Sequence, residues 1–312
     1  MKSDQLIVHN CTLKWGTRTY VMGILNITLD SFSGDGILAN QAVSEDNEPP
    51  EPQTVIDLAV NAALVQARRY VDAGVDILDV GGESTRPGSQ PLAADEEMER
   101  VLPVIKALAG NFDVLISVDS YKSQVAESGI KAGAHIINDV WGLRADPSLA
   151  TIAARYQVPV ILMHNRSSWV HAEIRDRLGG RYVGMEYENL LEDVKRELME
   201  SVELAHQAGV SDEHIILDPG IGFGKTVEQN LELIDRLGEI RVLGYPVLLG
   251  PSRKSFIGYT LDLPIDQRVE GTAAAIAVGI DRGADVVRVH DVEYMMRVVK
   301  MTDAIVRRKA SS

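Results

Sequence analysis

The sequence predicts an α/β protein that folds as a single (β/α)8 TIM barrel with an N-terminal β-hairpin. Eight short apolar runs recur along the chain, amphipathic segments separate them, and most runs end in a polar side chain. Runs of Val, Ile and Leu bounded by Gly, Pro, Asp or Asn are typical of strands buried on both faces. The eight predicted strands are Tyr20–Asn26, Asp76–Gly82, Val114–Ser120, His135–Val140, Val160–His164, Ile215–Pro219, Val247–Ser252 and Val286–His290.

The other elements follow from local signals. Leu6–Trp15 alternates apolar and polar residues, which predicts a hairpin that covers the bottom of the barrel. Helical periodicity predicts helices at Thr54–Asp72, Asp95–Leu108, Val183–Gln207 and Arg268–Asp281, and a glycine soon after a helix supplies a C-cap. Strands that alternate with helices form parallel βαβ units. Eight units favour a closed barrel, and an open doubly wound sheet is the alternative.

Three stretches depart from this alternation. Residues 36–53 are acidic and proline-rich, and we predict a mobile loop there because such a composition cannot pack a core. Residues 167–182 form a second long polar connection. Residues 309–312 are predicted to be a tail. The whole chain, 1–312, is otherwise predicted to be one domain.

Composition and charge exclude several classes of function. The 312 residues are 45% hydrophobic and 24% charged, as in ordinary globular proteins. A net charge of −14 disfavours binding to nucleic acid and to anionic membranes. The one cysteine, Cys11, excludes an intrachain disulfide and fits a reducing compartment. Without an apolar signal core or a run of about 18 apolar residues, the chain is predicted to be cytoplasmic.

The residues that could carry chemistry follow the predicted strands. In a barrel of this kind the active site lies at the carboxyl ends of the strands. Nearly every predicted strand presents an Asn, Asp, Arg, Lys or His there, whereas the starts of the strands show no such concentration of polar side chains. These residues are Asn26, Glu83-Ser84-Thr85-Arg86, Asp119-Ser120, Asn138-Asp139, His164-Asn165, Asp218, Ser252-Arg253-Lys254, Arg288 and His290.

Arg288 and His290 lie two residues apart on one predicted strand, so their side chains point the same way. Together with Arg86, Ser252 and Lys254, they would form a cationic patch at the carboxyl end of the barrel. The loops after the seventh and eighth strands are the usual phosphate site of this fold, so we expect a phosphorylated substrate. The alternative is a structural salt bridge of Arg288, or a hydrogen-bonded His290 at the strand end, with Asp291 or Glu293.

Asp119 and Asp218 follow apolar strand residues and should be partly desolvated. With Asn138 and Lys254 they offer donors and acceptors suited to an amide-like heterocycle. For Asp218 the alternative is a turn or helix N-cap. The sequence has no zinc-like His and Cys spacing, and its near matches to a Walker loop and a nucleophile elbow are incomplete, so covalent serine chemistry is not predicted.

Long motifs from about Leu6 to about Val306 resemble those of the dihydropteroate synthase family of pterin-binding barrels. The motifs are Met22–Ser33, Asp79–Gly88, Ile116–Ser120, Ile137–Asp139, Leu162–His164, Leu217–Lys225, Pro251–Phe256 and Val287–Asp291. The resemblance implies condensation of 6-hydroxymethyl-7,8-dihydropterin pyrophosphate with 4-aminobenzoate, which yields pyrophosphate and 7,8-dihydropteroate for folate biosynthesis. It also implies Mg²⁺ as cofactor, a homodimer, and competition by sulfonamides at the aminobenzoate site.

The resemblance also implies roles for individual residues. Pterin would be held by Asp119, Asn138, Met163, Asp218 and Lys254. Pyrophosphate would be held by Asn26, Arg288 and His290, with Asn26 positioning Mg²⁺. Aminobenzoate would contact Phe32, Thr85, Arg86, Pro87, Phe223 and Ser252. The catalytic residues would be Asp119, Arg86, Lys254 and Arg288.

The charges on these residues suit a dissociative substitution. Loss of pyrophosphate leaves positive charge in the pterin, which the Asp119 carboxylate would stabilise. Mg²⁺, Arg288 and His290 would offset the negative charge of the leaving group. The aromatic amine is neutral at about pH 7, so the reaction needs neither a strong base nor a covalent nucleophile.

Two other functions and one local departure stay open. A methyltransferase acting on methyltetrahydrofolate and a corrinoid protein would need no pyrophosphate site, whereas this chain has the Ser84–Pro87 run and the Arg288 and His290 pair. A silent paralogue would be expected to lack residues such as Lys254, which is present. The first loop departs from the family pattern, with Leu29 in place of proline and Gly34-Asp35-Gly36 in place of Asp-Gly-Gly.

Overall fold

The computed structural model describes residues 2–27, 52–85, 89 and 91–308. The strands are β1 (Gln5–Val8), β2 (Cys11–Lys14), β3 (Tyr20–Asn26), β4 (Ile77–Gly81), β5 (Leu115–Asp119), β6 (Ile136–Asp139), β7 (Val160–Met163), β8 (Ala172–Arg175), β9 (Gly179–Tyr182), β10 (Ile215–Asp218), β11 (Leu248–Leu249) and β12 (Val286–Val289). The helices are α1 (Pro52–Ala73), α2 (Ala94–Asn111), α3 (Ser123–Ala132), α4 (Ser148–Tyr156), α5 (Leu190–Ala208), α6 (Val227–Asp235), α7 (Gly238–Arg241), α8 (Ser255–Leu261), α9 (Val269–Asp281) and α10 (Val292–Val306). Among these described segments, no helix is both long and apolar enough to cross a membrane.

The main sheet is the predicted parallel barrel. Strands β3, β4, β5, β6, β7 and β10 are neighbours in that order, and β3 also pairs with β12, which pairs with β11. A bridge between Leu217 and Val247 joins β10 to the start of β11. This bridge closes the ring, so the alternative of an open doubly wound sheet is wrong.

The hairpin closes the bottom of the barrel, as predicted. β1 pairs antiparallel with β2, and Leu6 lies opposite Leu13. Both side chains are buried in a cluster with Met22, Ile77 and other residues near the amino ends of the barrel strands. Because apolar side chains fill that end, the polar side chains collect at the carboxyl ends.

The chain after β7 differs from the prediction. The connection 167–182 contains an antiparallel pair, β8 and β9, in which Arg181 and Glu173 form an ion pair at 2.6 Å. The helix expected at Val183–Gln207 begins at Leu190 instead. It starts there because the Asn189 side chain accepts a hydrogen bond from the Glu192 backbone N–H at 3.3 Å and caps the first turn.

Two other boundaries concern the predicted loop and tail. Helix α1 begins at Pro52, so the last two residues of the predicted loop 36–53 are helical. The rest of that loop lies outside the described residues, as do the departures at Leu29 and 34–36 and the tail 309–312.

The packing of α5 against the barrel predicts a stability difference between two leucines of that helix. Leu198 is fully buried, whereas Leu204 is 38% exposed. Leu198→Ala is expected to lower the free energy of unfolding by about 2–5 kcal/mol, because it leaves a cavity in the core. Leu204→Ala is the matched control, with an expected loss below about 1 kcal/mol. Denaturant unfolding measures both, and equal losses would contradict the packing described.

Candidate active site

The polar residues predicted at the strand ends converge at the carboxyl end of the barrel. Asp119 ends β5 and pairs in register with Asn138 of β6, while Asp218 ends β10 opposite Met163 of β7. Asn138, Asp218 and Met163 are buried, and Asp119 is nearly so. Arg288 reaches the same space from β12. The structure therefore brings together residues that the sequence predicts to hold a heterocycle and a phosphate group.

Arg288 is the centre of a charge network. Its Nε donates a hydrogen bond to Asp79 Oδ2 at 2.6 Å, and its Nη2 donates to Asp119 Oδ2 at 2.6 Å. Arg288 therefore does form structural ion pairs, as the alternative prediction supposed, but its partners are Asp79 and Asp119. The acidic residues named in that prediction, Asp291 and Glu293, pair with other arginines. The pairs are Arg253 with Asp291 and Arg69 with Glu293.

Asp79 is a site residue that the sequence analysis did not single out. It lies inside β4 and is fully buried, and its Oδ2 also accepts a hydrogen bond from Asn138 Nδ2 at 3.2 Å. Its Oδ1 has no hydrogen-bond partner among the described residues. The sequence feature that could have pointed to Asp79 is a single carboxylate inside an otherwise apolar strand. Asp79 thus connects Asn138 to Arg288.

Burial shifts the pKa values of the charged groups at the carboxyl end of the barrel, which is called the mouth below. It raises the pKa of Asp119 to about 7, and the nearby Arg288 guanidinium opposes this rise. Burial also raises the pKa of Asp218, and the Lys254 ammonium opposes that rise. Burial lowers the pKa of Lys254 to about 8, against the attraction of Asp218. Each buried charge therefore depends on an opposite charge beside it.

A glycine-rich loop, Gly220–Gly224, connects Asp218 with Lys254. The Gly220 N–H donates to Asp218 Oδ1 at 2.7 Å, so the predicted turn at Asp218 forms, and it does so at the edge of the site. Lys254 Nζ donates to the Ile221 carbonyl and lies 4.6 Å from the centre of the Phe223 ring. Asp218 therefore forms the predicted turn and also belongs to the candidate site.

The residues predicted to hold pyrophosphate lie at neighbouring strand ends. The His290 backbone N–H donates to Ser252 Oγ at 3.2 Å, and the His290 Nδ1 lies 3.1 Å from the same oxygen. Asn26 ends β3 and pairs with Gly81, which in turn pairs with Asp119. Asn26 is therefore two strands away from β5 and three strands away from β6.

An open groove of about 230 Å³ adjoins the loop Gly220–Gly224, which contains Phe223 and is called the Phe223 loop below. Thr85 and Phe223, both predicted to contact aminobenzoate, line this groove. Three further aromatic side chains line it, namely Tyr121, Trp141 and Tyr182. Three other predicted contacts, Phe32, Arg86 and Pro87, lie outside the described residues. The groove suits a flat aromatic ring.

A metal site made of protein side chains alone is absent from the described part of the chain, where no three His, Cys, Asp or Glu residues are grouped to bind an ion. Mg²⁺ commonly takes one or two protein oxygens and completes its shell with water and substrate phosphates. The carboxamide oxygen of Asn26 is a hard ligand of this kind. Asn26 therefore fits Mg²⁺ that arrives with a phosphate-bearing substrate.

Known proteins are similar to this chain in sequence and in architecture. The pterin binding enzyme family matches residues 53–290. The dihydropteroate synthase of Clostridium beijerinckii is 49% identical over 294 residues, which make up 94% of this chain and 96% of that protein. The Clostridium difficile dihydropteroate synthase, solved in the presence of pteroic acid, is 44% identical, with a TM-score of 0.79 over 94% of this chain and 99% of that one. The Xanthomonas albilineans enzyme, solved with 4-aminobenzoic acid, is 33% identical, with a TM-score of 0.81 over 98% of this chain and 100% of that one.

These similarities span the barrel and include the strand ends that form the site. The chain belongs to the pterin-binding enzyme family and, within it, to the dihydropteroate synthases, which are transferases of folate biosynthesis.

Proposed function

We propose that the chain condenses 6-hydroxymethyl-7,8-dihydropterin pyrophosphate with 4-aminobenzoate to give 7,8-dihydropteroate and pyrophosphate. The cluster of Asp119, Asn138, Asp218 and Lys254, in which Asn138 and Asp218 are buried and the other two are partly buried, is the observation that carries this proposal. A pterin presents N–H donors and a carbonyl in one plane, and every one of these atoms needs a partner once it leaves water. The two carboxylates accept hydrogen bonds, the lysine donates, and the asparagine does both. Met163 would pack on the ring face.

Arg288, His290 and Asn26 would bind the pyrophosphate. A guanidinium has five N–H donors, and the two carboxylates of the site use two of them. The remaining donors suit phosphate oxygens. Asn26 and the substrate would hold Mg²⁺, which would supply further neutralisation of the leaving group.

The proposed substitution is dissociative. The bond between the pterin methylene carbon and the pyrophosphate oxygen breaks, and its electron pair leaves with the oxygen. The positive charge that remains spreads into the pterin ring, where the Asp119 carboxylate stabilises it. The neutral amine of 4-aminobenzoate then forms a bond to the methylene carbon and loses one proton to water.

The second substrate would lie between the pterin and the open groove. Phe223 and Thr85 would contact its ring, and Ser252 would contact its polar end. The family resemblance assigns further contacts with this substrate to Phe32, Arg86 and Pro87, which lie outside the described residues, and it makes Arg86 and Lys254 catalytic residues.

We also propose a cytoplasmic homodimer that binds neither nucleic acid nor membranes. Helix α10 exposes Tyr294, Met301 and Ile305, each by more than half of its surface (60%, 63% and 55%), and such apolar side chains favour association. Cys11 is a free thiol, which suits a reducing compartment. The net charge of −14 opposes contact with polyanions.

Pyrophosphate release tests the proposed reaction directly. The purified protein with Mg²⁺ and the pterin pyrophosphate is expected to release pyrophosphate only when 4-aminobenzoate is present, and to form dihydropteroate in equal amount. Pterin binding without release would instead support a catalytically silent paralogue. A malachite green assay after pyrophosphatase treatment, with product identified by mass spectrometry, separates these outcomes.

Asp119→Asn tests the stabilisation of the pterin cation. The variant keeps the size of the side chain and loses its charge, so kcat/KM is expected to fall by about 100-fold or more. The matched control is Asp235→Asn, because Asp235 is 69% exposed and pairs with Arg282 on the outer surface. Full activity of the Asp119→Asn variant would contradict the assigned role.

The pH dependence tests the same carboxylate. Burial raises the pKa of Asp119 to about 7, so the charged form is lost as the pH falls through 7, and kcat/KM is expected to fall with it. Arg288 lowers this pKa, while Asp79, Glu97 and Asp139 raise it. Asp79→Asn removes one negative neighbour, so the acid limb of the profile is expected to move to lower pH. An unchanged limb in that variant would contradict the assignment of the limb to Asp119.

A further inference from the structure

Lys225 is a buried lysine that the proposed reaction does not use. Its side chain is among the largest that are fully buried, with 1% exposure. Nζ donates to the Gly220 carbonyl at 2.9 Å and to the Phe223 carbonyl at 3.0 Å, and it lies 2.9 Å from His164 Nδ1. An ammonium has three N–H donors, and three acceptors surround this one. Burial lowers the pKa of Lys225, and the Asp218 carboxylate opposes this. The three acceptors match the three donors of an ammonium, so the contacts suit the charged form.

His164 connects Lys225 to Glu197 of α5, and its proton position follows from its neighbours. Burial raises the pKa of Glu197, but hydrogen bonds from His164 and Arg166 outweigh it and hold this pKa well below its usual range. Burial lowers the pKa of His164 to about 3, so its ring is neutral. Because the Glu197 carboxylate can only accept, the His164 proton lies on Nε2, 3.1 Å from Glu197 Oε2. Nδ1 is then left to accept from Lys225.

The two carbonyls that Lys225 holds belong to the loop Gly220–Gly224. This loop sits directly on the end of β7, since a Cβ on Gly220 would lie 1.8 Å from the His164 carbonyl oxygen. Gly220 has φ +71°, which glycine adopts without strain. On the other side of the loop, Lys254 donates to the Ile221 carbonyl. Lys225 therefore binds the interior side of this loop. The same loop places the Phe223 ring against the groove.

We infer that Lys225, oriented by His164 and Glu197, is a positioning residue for the second substrate: it clamps the Phe223 loop so that the Phe223 ring forms a wall of the aromatic amine pocket. Lys225 contacts neither substrate in this arrangement. The identity of the amine as 4-aminobenzoate rests on the proposed function, whereas the clamp is a property of the chain alone. The pterin is held mainly by residues on strands, so loss of the clamp acts on the amine more than on the pterin.

Lys225→Met removes the cation and all three hydrogen bonds while keeping a chain of similar length. Hydrogen exchange of peptides covering residues 220–226 is expected to become about tenfold faster or more, because the loop opens locally. The KM for 4-aminobenzoate is expected to rise by about tenfold or more, and the KM for the pterin pyrophosphate to stay within about threefold. Glu197→Gln keeps an acceptor for His164 but loses the charge, and should give a smaller change in the same KM. If Lys225→Met does not fold, Glu197→Gln alone decides.

The matched control is Arg241→Met at the other end of the barrel. Arg241 donates to Asp285 at 2.5 Å and to the Gly283 carbonyl at 2.7 Å, so its loss also removes a partly buried cation. It is expected to lower Tm without changing either KM or the exchange of residues 220–226.

The outcomes separate the clamp from the reaction. Unchanged hydrogen exchange at residues 220–226 in the Lys225→Met variant would contradict the clamp. Equal rises in both KM values, with faster exchange throughout the barrel, would contradict it as well. Either result would do so even if the wild-type protein makes dihydropteroate. Faster exchange confined to 220–226 in a protein whose wild type makes no dihydropteroate would support the clamp and reject the proposed reaction.

Discussion

The ion network around Arg288 is the interaction on which the open end of the barrel depends. Strands β4, β5 and β12 each contribute one charged member, and the guanidinium bridges the carboxylates of Asp79 and Asp119. Breaking a buried pair by removing one partner costs about 3–5 kcal/mol, because the other charge is left uncompensated. The network therefore allows two carboxylates to stand close together out of water, where a polar heterocycle can be recognised.

The second constraint is backbone geometry at the loop after β10. Gly220, Gly222 and Gly224 all have positive φ, and the turns they allow point carbonyl oxygens toward two lysines. Lys225 binds the loop from the interior and Lys254 binds it from the mouth. The Asp218 carboxylate attracts both cations, so the loop, the lysines and the strand end form one electrostatic unit.

Much of this arrangement is predictable because parallel strands end at one edge. Asp119, Asn138, Asp218 and Arg288 could be predicted as neighbours from their positions in the apolar runs, and the structure confirms it. Asp79 was not singled out because it lies inside a strand, where a polar residue is commonly a packing feature. The link between Lys225 and His164 was also missed, since 61 residues separate them and no local pattern connects the two.

The connection after β7 shows the same limit. Its hairpin of β8 and β9 is held by backbone pairing and by the cross-strand contact of Arg181 with Glu173, and neither leaves a hydrophobic period in the sequence. The sequence by itself determined the barrel, the covering hairpin and the set of polar strand ends, because hydrophobic period and glycine caps are local properties. Only the tertiary structure decided which carboxylate Arg288 binds, which nitrogen of His164 carries the proton, and how Lys225 holds the Phe223 loop. Those choices depend on distances between residues far apart in the chain, and burial makes each of them matter for stability and charge.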